Sequence, residues 1–412
     1  MEKREYWSRK TNPITGAKFE KFREYLDVCH NGNMDVDSMI DSEYGNEFAR
    51  IQDLRFRLEE DPLGPQAQEC YASLGLWAEM NEAEDYYTRW LALIPRTIQK
   101  GKRYPLVVAN HGGGNAIETD LFSFGLPQIA GKEEFFVVYA QNTNWKNLAH
   151  ILDIVEQKYP VDAERIYMVG YSQGGYQTTS ALFRMPDRLA AVAPCGNDVF
   201  RTYDNFNVPY TIEEYVRLKR VCVPVIQVVG ACEASFFVPV NDWHPRKDWG
   251  RTVSGEPYVN PRRADERDPT RIKGGIRPFS AMPTPPVGKD KRIWMINRLN
   301  LRMDTLGCAP RNPERCIGYK DTPEDELHHV LGFYGDREEI RTYYGYKHYM
   351  LDILDECGRD VFRYVVVENN GHWPPVMMGQ FVWDFFQQFR RDVTTGELVL
   401  DSYKGGGPID RL

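Results

Sequence analysis

The sequence predicts an α/β protein built on a mainly parallel, doubly wound sheet, and three observations carry that prediction. Apolar strand-like runs alternate with helix-like runs from residue 86 onward. A Gly-x-Ser-x-Gly stands between one such strand and the helix that follows it, and a histidine stands in the turn after the last strand of the series. At 412 residues the chain can form one large core with an accessory domain, or two domains.

Residues 1–85 read as a helical N-terminal extension. Ile51 to Leu58 has helical spacing, and Asp61-Pro62-Leu63-Gly64-Pro65 is a break. Residues 86–233 read as the first part of the core. Within it Tyr87 to Pro95 is an early strand, and Tyr104 to Asn110 is a buried strand that runs straight into His111-Gly112-Gly113-Gly114. Glu134 to Ala140 is the next strand, Trp145 to Lys158 a helix, and Asp162 can cap the turn into the strand Ile166 to Val169. A helix from Tyr176 to Arg184 and strands at Leu189 to Pro194 and Val223 to Gly230 continue the alternation.

The rhythm stops between 234 and 345. That segment holds 12 of the 26 prolines and three tryptophans, and it is too long for an ordinary loop, so it reads as an inserted cap or lid. The second part of the core, 346–392, resumes with a helix around Tyr346 to Cys357, a strand at Val361 to Val367 and an amphipathic helix from Gly379 to Arg390. The Gly-rich end, 393–412, reads as a loose tail.

Charge and composition exclude several classes. A net charge of −8 argues against general nucleic-acid binding. No run of 18 apolar residues suggests a membrane span, and the residues after Met1 lack the apolar core of a secretory signal. Eight scattered cysteines without metal-ligand spacing then read as reduced thiols, which gives a cytoplasmic expectation with no metal and no cofactor. Residues 1–85 carry 10 Lys/Arg against 19 Asp/Glu, and residues 244–302 carry 14 against 6. Opposite charges of that size suggest that the two segments pair, within one chain or between the subunits of a homo-oligomer.

The motif with chemistry in it is Gly170-Tyr171-Ser172-Gln173-Gly174-Gly175. Composition alone gives about 0.07 such Gly-x-Ser-x-Gly patterns in a chain like this, so its setting must decide its meaning. A serine hydroxyl needs a base to take its proton and a carboxylate to stabilise the resulting imidazolium. His372 is the candidate base, because His111 and His372 alone among the eight histidines sit at ends of predicted strands, whereas His328, His329 and His348 lie in helix-like polar sequence. Glu233, three residues past Gly230, is the candidate acid, with Asp242 its main rival and Asp336 a weaker one. A developing oxyanion needs donors, which the Gln173 N–H and the glycines 112, 113 and 114 can supply, Gly113 foremost. His111, Tyr171 and Trp373 are the candidate substrate contacts.

Taken together, His-Gly-Gly-Gly, Gly-Tyr-Ser-Gln-Gly-Gly, Gly-Ala-Cys-Glu and Gly-His-Trp-Pro resemble the α/β-hydrolase superfamily, and within it the polyhydroxybutyrate-depolymerase/feruloyl-esterase type. The likeness covers roughly 86–235 and 346–392. It implies an α/β-hydrolase fold and an order of nucleophile Ser172, acid Glu233 and base His372; the large cap insertion before the histidine is read from the sequence and not from the resemblance. The chain departs from the type in lacking a visible leader, in using Glu as acid, and in carrying the insertion. The expected activity is hydrolysis of a small-molecule ester with an aromatic, hydroxycinnamoyl-like part or an acyl-sugar part. The alternatives are an aminopeptidase or amidase resembling prolyl oligopeptidase, and an inactive binding protein on a hydrolase fold.

Overall fold

The computed structural model describes residues 63–83, 88–112, 117, 124–197, 209–230, 288–320, 325–343, 346–367, 374–375 and 378–404. Twelve strands are present among them: β1 (Leu76–Glu82), β2 (Arg89–Pro95), β3 (Tyr104–Asn110), β4 (Phe136–Ala140), β5 (Val161–Tyr171), β6 (Ala191–Cys195), β7 (Val225–Gly230), β8 (Arg337–Tyr343), β9 (Tyr346–Leu354), β10 (Asp360–Val367), β11 (Phe389–Arg391) and β12 (Leu398–Leu400). The helices are α1 (Pro65–Ser73), α2 (Leu126–Glu133), α3 (Trp145–Lys158), α4 (Gln173–Arg184), α5 (Ile212–Val221), α6 (Gly288–Thr305), α7 (Pro313–Lys320), α8 (Glu326–Leu331) and α9 (Met378–Phe386).

Ten strands form one sheet in the order β1-β2-β4-β3-β5-β6-β7-β10-β9-β8, and β11 and β12 pair separately. The strands from β4 across to β10 are parallel, while β1, β2 and β9 run against their neighbours. Every residue of β3, β4, β6 and β7 is buried, as expected where parallel strands are covered on both faces. The two faces can be told apart along β5. Tyr167 meets Trp383 and Phe386 of α9, whereas a Cβ on Gly170 would meet α4. Residues 167 and 170 have opposite parity, so α9 and α4 cover opposite faces of the sheet. α4 is flanked by α3 and α5, and α9 packs on α2.

Several elements depart from the sequence expectation. The region read as helix around Tyr346 to Cys357 is the strand β9. Tyr349, Met350, Leu351 and Ile353 are all buried there, because β9 lies between β8 and β10 with both its faces covered. Such a run loses the alternation that marks a strand, and its apolar spacing imitates a helix. The last stretch of the expected helical extension, Leu76–Glu82, is instead the edge strand β1. The closing helix ends at Phe386, and the chain beyond it turns back as the β11–β12 hairpin where a loose tail was expected. Of the expected cap, the described residues 288–320 and 325–331 carry the helices α6 to α8, whereas Arg337–Tyr343 joins the main sheet as its outer strand. The pairing expected between the acidic 1–85 and basic 244–302 segments falls mostly on residues outside the described ones. Cys70, Cys195, Cys222, Cys308, Cys316 and Cys357 are free thiols. Among the described residues no helix is long and apolar enough to cross a membrane.

Candidate active site

Ser172 sits between the last residue of β5 and the first of α4 with φ 57° and ψ −119°. A positive φ in a residue with a Cβ costs about 1–2 kcal/mol, and it persists only where neighbouring contacts over-determine it. Those contacts are visible. The Ser172 N–H donates to Cys195 O (3.1 Å) at the end of β6, and the Tyr176 N–H donates to Ser172 O (3.1 Å) to start the helix.

The glycines of the motif answer to space. A Cβ on Gly174 would lie 2.0 Å from Asn110 O, so α4 begins pressed against the end of β3. A Cβ on Gly170 would lie 2.3 Å from Gly174 O, so the chain doubles back tightly over its own strand. Side chains lock the same junction: Asn110 Nδ2 donates to Thr178 Oγ1 (3.0 Å), which donates to Gly174 O (2.9 Å). Both polar side chains are buried. The serine is therefore presented by a rigid corner where β3, β5, β6 and α4 meet.

The expected donors and partners distribute as follows. Gln173 is the first residue of α4, where backbone N–H groups have no acceptor within the helix, and it adjoins Ser172. Gly112 follows β3 at the same edge of the sheet, and Gly113 and Gly114 lie outside the described residues. His111 has Nδ1 3.0 Å from Gly112 O and Nε2 2.9 Å from Gln141 O, so its ring braces the loop after β3 against the end of β4. Tyr171 is only 3% exposed, and a Cβ on Gly196 would be 2.3 Å from its ring. That is a packed position beneath the edge that carries Ser172.

Glu233, Asp242, His372 and Trp373 lie outside the described residues, but the strands that precede them do not. β7 and β10 are parallel neighbours with Gly230 opposite Val367, and both end at the edge where Ser172 stands. Asp336 is removed from the list of acids. Its Oδ2 accepts from the Leu354 N–H (2.8 Å) and its Oδ1 from Arg311 Nη1 (3.2 Å). Leu354 pairs with Asp360 at the start of β10, which is the opposite edge of the sheet.

Two histidines read as helix surface behave differently. His328 lies in α8 between Asp325 and Glu338, and those carboxylates raise its pKa against the opposing effect of burial. His348 is fully buried in β9, level with Val367, beside Tyr343 and Phe381. Only the strand assignment could have revealed its place, and the helix-like sequence concealed that. Among the described residues no group of three or more His, Cys, Asp or Glu side chains is placed to hold a metal ion.

No family model matches the chain. A bifunctional acetylxylan esterase/xylanase of Neocallimastix patriciarum is 29% identical over 111 residues, a match covering 23% of this chain and 16% of that protein. The match thus spans about a sixth of that protein's length. Among solved structures, an acetyl xylan esterase from Aspergillus awamori aligns over 75% of this chain and 98% of its own, with 10% identity and a TM-score of 0.42. The feruloyl esterase module from Clostridium thermocellum aligns over 38% of this chain and 68% of its own, with 17% identity and a TM-score of 0.32. An acylaminoacyl peptidase from Pyrococcus horikoshii aligns over 38% of this chain and 32% of its own, with 19% identity and a TM-score of 0.29. The order of strands in the sheet and the strained serine turn at the end of β5 together give this chain the α/β-hydrolase fold.

Proposed function

We propose that this protein is a serine carboxylester hydrolase that works through an acyl-enzyme on Ser172. The observation that carries the reading is the backbone of Ser172, a non-glycine residue held at φ 57° by the close approaches at Gly170 and Gly174. Glu134 and Cys222 share that φ as left-handed caps at helix ends, but Ser172 combines it with ψ −119°, a sparsely populated backbone of the kind that clusters at functional sites.

In this reading His372 takes the proton from Ser172 Oγ as it attacks the ester carbonyl, and Glu233 orients His372 and stabilises the imidazolium. The backbone N–H groups of Gln173 and Gly113 donate to the oxyanion. His372 then protonates the departing alcohol and activates the water that frees the acyl group. What supports the set is chain order, together with the common edge at which β5, β7 and β10 end. The substrate is an ester with an aromatic, hydroxycinnamoyl-like part or an acyl-sugar part. The partial match to an acetylxylan esterase and the aromatic, arginine-bearing insertion favour that class.

A fluorophosphonate probe should label the wild-type chain and fail to label Ser172→Ala, with kcat on p-nitrophenyl esters falling at least about 10⁴-fold. An unlabelled wild type would leave only a binding protein on a hydrolase fold. Faster turnover of aminoacyl anilides than of the esters would make the protein an amidase instead. In the same assay Glu233→Gln should lose far more kcat than Asp242→Asn, and the reverse would assign the acid to Asp242.

A further inference from the structure

We propose that Asn197, at the end of β6, is a positioning residue for the triad acid: its Nδ2–H donates to the carboxylate that follows β7 and holds it toward His372. This rests on the reading that Ser172 is the nucleophile and Glu233 the acid. Tyr171 at the end of β5 is level with Cys195 of β6, and the Ser172 N–H donates to Cys195 O (3.1 Å). On the other side the Gly196 N–H donates to Val228 O (3.1 Å), and Gln227 Nε2 donates to Asn197 O (2.6 Å). The tip of β6 thus stands between the strand that ends at the nucleophile and the strand that leads, three residues after Gly230, to Glu233.

The side chain of Asn197 is out of place for a packing residue. It is 0% exposed, and neither Nδ2 nor Oδ1 has a hydrogen-bond partner among the described residues. Gln227 is equally buried and spends Nε2 on Asn197 O, and its Oε1 also has no partner among them. Nearby in α4 the buried hydroxyls are paired, Thr178 Oγ1 donating to Gly174 O (2.9 Å) and Thr179 Oγ1 to Gly175 O (3.1 Å). Burying an amide without a partner is unfavourable, and an apolar residue of the same shape would avoid that loss.

Space fixes where the amide lies. A Cβ on Gly175 would be 2.8 Å from Asn197 Nδ2 and 2.4 Å from Cys195 O. The amide nitrogen is therefore pressed against the first turn of α4, three residues past Ser172, while Gln227 holds the Asn197 backbone. A donor fixed in this way loses little freedom when it binds. A carboxylate suits it best, because a hydrogen bond to an ionised acceptor is about twice as strong as one to a neutral group. The same bond favours the charged form of the acid, which the His372 imidazolium requires. One carboxylate oxygen then takes the amide N–H, and the other remains for the His372 ring.

The test is steady-state turnover of p-nitrophenyl acetate by the full chain, with thermal unfolding of each variant. Asn197→Leu keeps the volume and removes both polar atoms. It should leave Tm within about 2 °C of the wild type or above it, because an apolar group needs no partner there, while kcat falls about 10-fold or more. In a Glu233→Gln background the same change should lower kcat by less than about 2-fold, because the carboxylate it positions is already gone. Asn197→Ala carries the same pair of comparisons should leucine prevent folding. A loss of the same factor in both backgrounds would make Asn197 a packing residue, and an unchanged kcat in an active protein would leave the amide to an ordered water. Either result overturns the proposal while the hydrolase reading stands. A wild type that neither turns over the ester nor takes a fluorophosphonate rejects both.

Discussion

Around Ser172, sterics and strain act on the same few atoms. The serine holds its positive φ because α4 starts within contact of β3, and that contact exists because residue 174 has no side chain. A methyl at Gly174 would meet the backbone carbonyls of Asn110 and His111 at 2.0 and 2.7 Å, and no rotamer change can relieve a clash with backbone. Gly174→Ala should therefore cost at least about 2 kcal/mol in urea unfolding and slow fluorophosphonate labelling of the remaining folded protein. Gly101→Ala is the control. Its φ is +86° but nothing lies within 4 Å, so it should carry only the backbone cost of about 1 kcal/mol and label at the wild-type rate. The turn was legible in sequence because its requirements are local: a strand, two spaced glycines and a helix. The packing role of Tyr171 was not, since it depends on Gly196 of another segment.

Among the elements, β9 and β10 carry an ion cluster that makes stability depend on pH. Arg363 binds Asp352 through Nε (2.6 Å) and Nη2 (3.0 Å), and Nη2 also reaches Asp360 (2.7 Å). One guanidinium thus serves two carboxylates. Burial, and then the charge of Asp352, push the Asp360 carboxyl up to about 7. In the unfolded chain it titrates near its ordinary value of about 4. Between those values the folded state holds a proton that the unfolded state has released, so stability falls as pH rises through the window and stays lower above it. Asp360→Asn should raise Tm at pH 8 by a few degrees while changing it little at pH 4.5, and scanning calorimetry at both values checks the sign. A Tm gain at pH 4.5 as large as that at pH 8 would show that the carboxyl is not the titrating group. The same strand pair shows where element reading failed. β9 is buried on both faces, so its apolar residues carry no period of two.

For the whole molecule, Arg391 is one of several side chains, Arg165 and Tyr167 among them, that close the C-terminal hairpin onto the sheet. Arg391 is 1% exposed and donates to four backbone carbonyls: Leu189 O (2.7 Å), Val221 O (2.9 Å), Gly396 O (2.9 Å) and Cys222 O (3.1 Å). Burial pulls its pKa down to about 10, which still leaves it charged at neutral pH. Those carbonyls belong to the approaches to β6 and β7 and to the β11–β12 turn, so the residue ties the end of the chain to its middle. Arg391→Met should orphan several acceptors and cost about 3 kcal/mol or more, with Arg391→Lys intermediate, measured by chemical unfolding. A change below about 0.5 kcal/mol would mean that water replaces the guanidinium at little cost. Nothing in the sequence around Arg391 distinguishes it from the exposed arginines, because its acceptors are backbone atoms about 170 and 200 residues away.

By itself the sequence determined what depends on near neighbours along the chain: the strands from β2 to β7 with the helices α3 and α4 between them, the serine turn, and the order of Ser172, Glu233 and His372; α2 and α5 were not read from it. Such features rest on local propensity and hydrophobic period, which a segment carries with it. Tertiary structure decided what depends on segments far apart. It made Tyr346–Leu354 a strand, added Arg337–Tyr343 to the sheet, folded the chain end into a hairpin, and put Asp336 at the edge away from Ser172. In each case the free energy comes from pairing or burial against a distant partner, and that contribution outweighs the local preference of the segment.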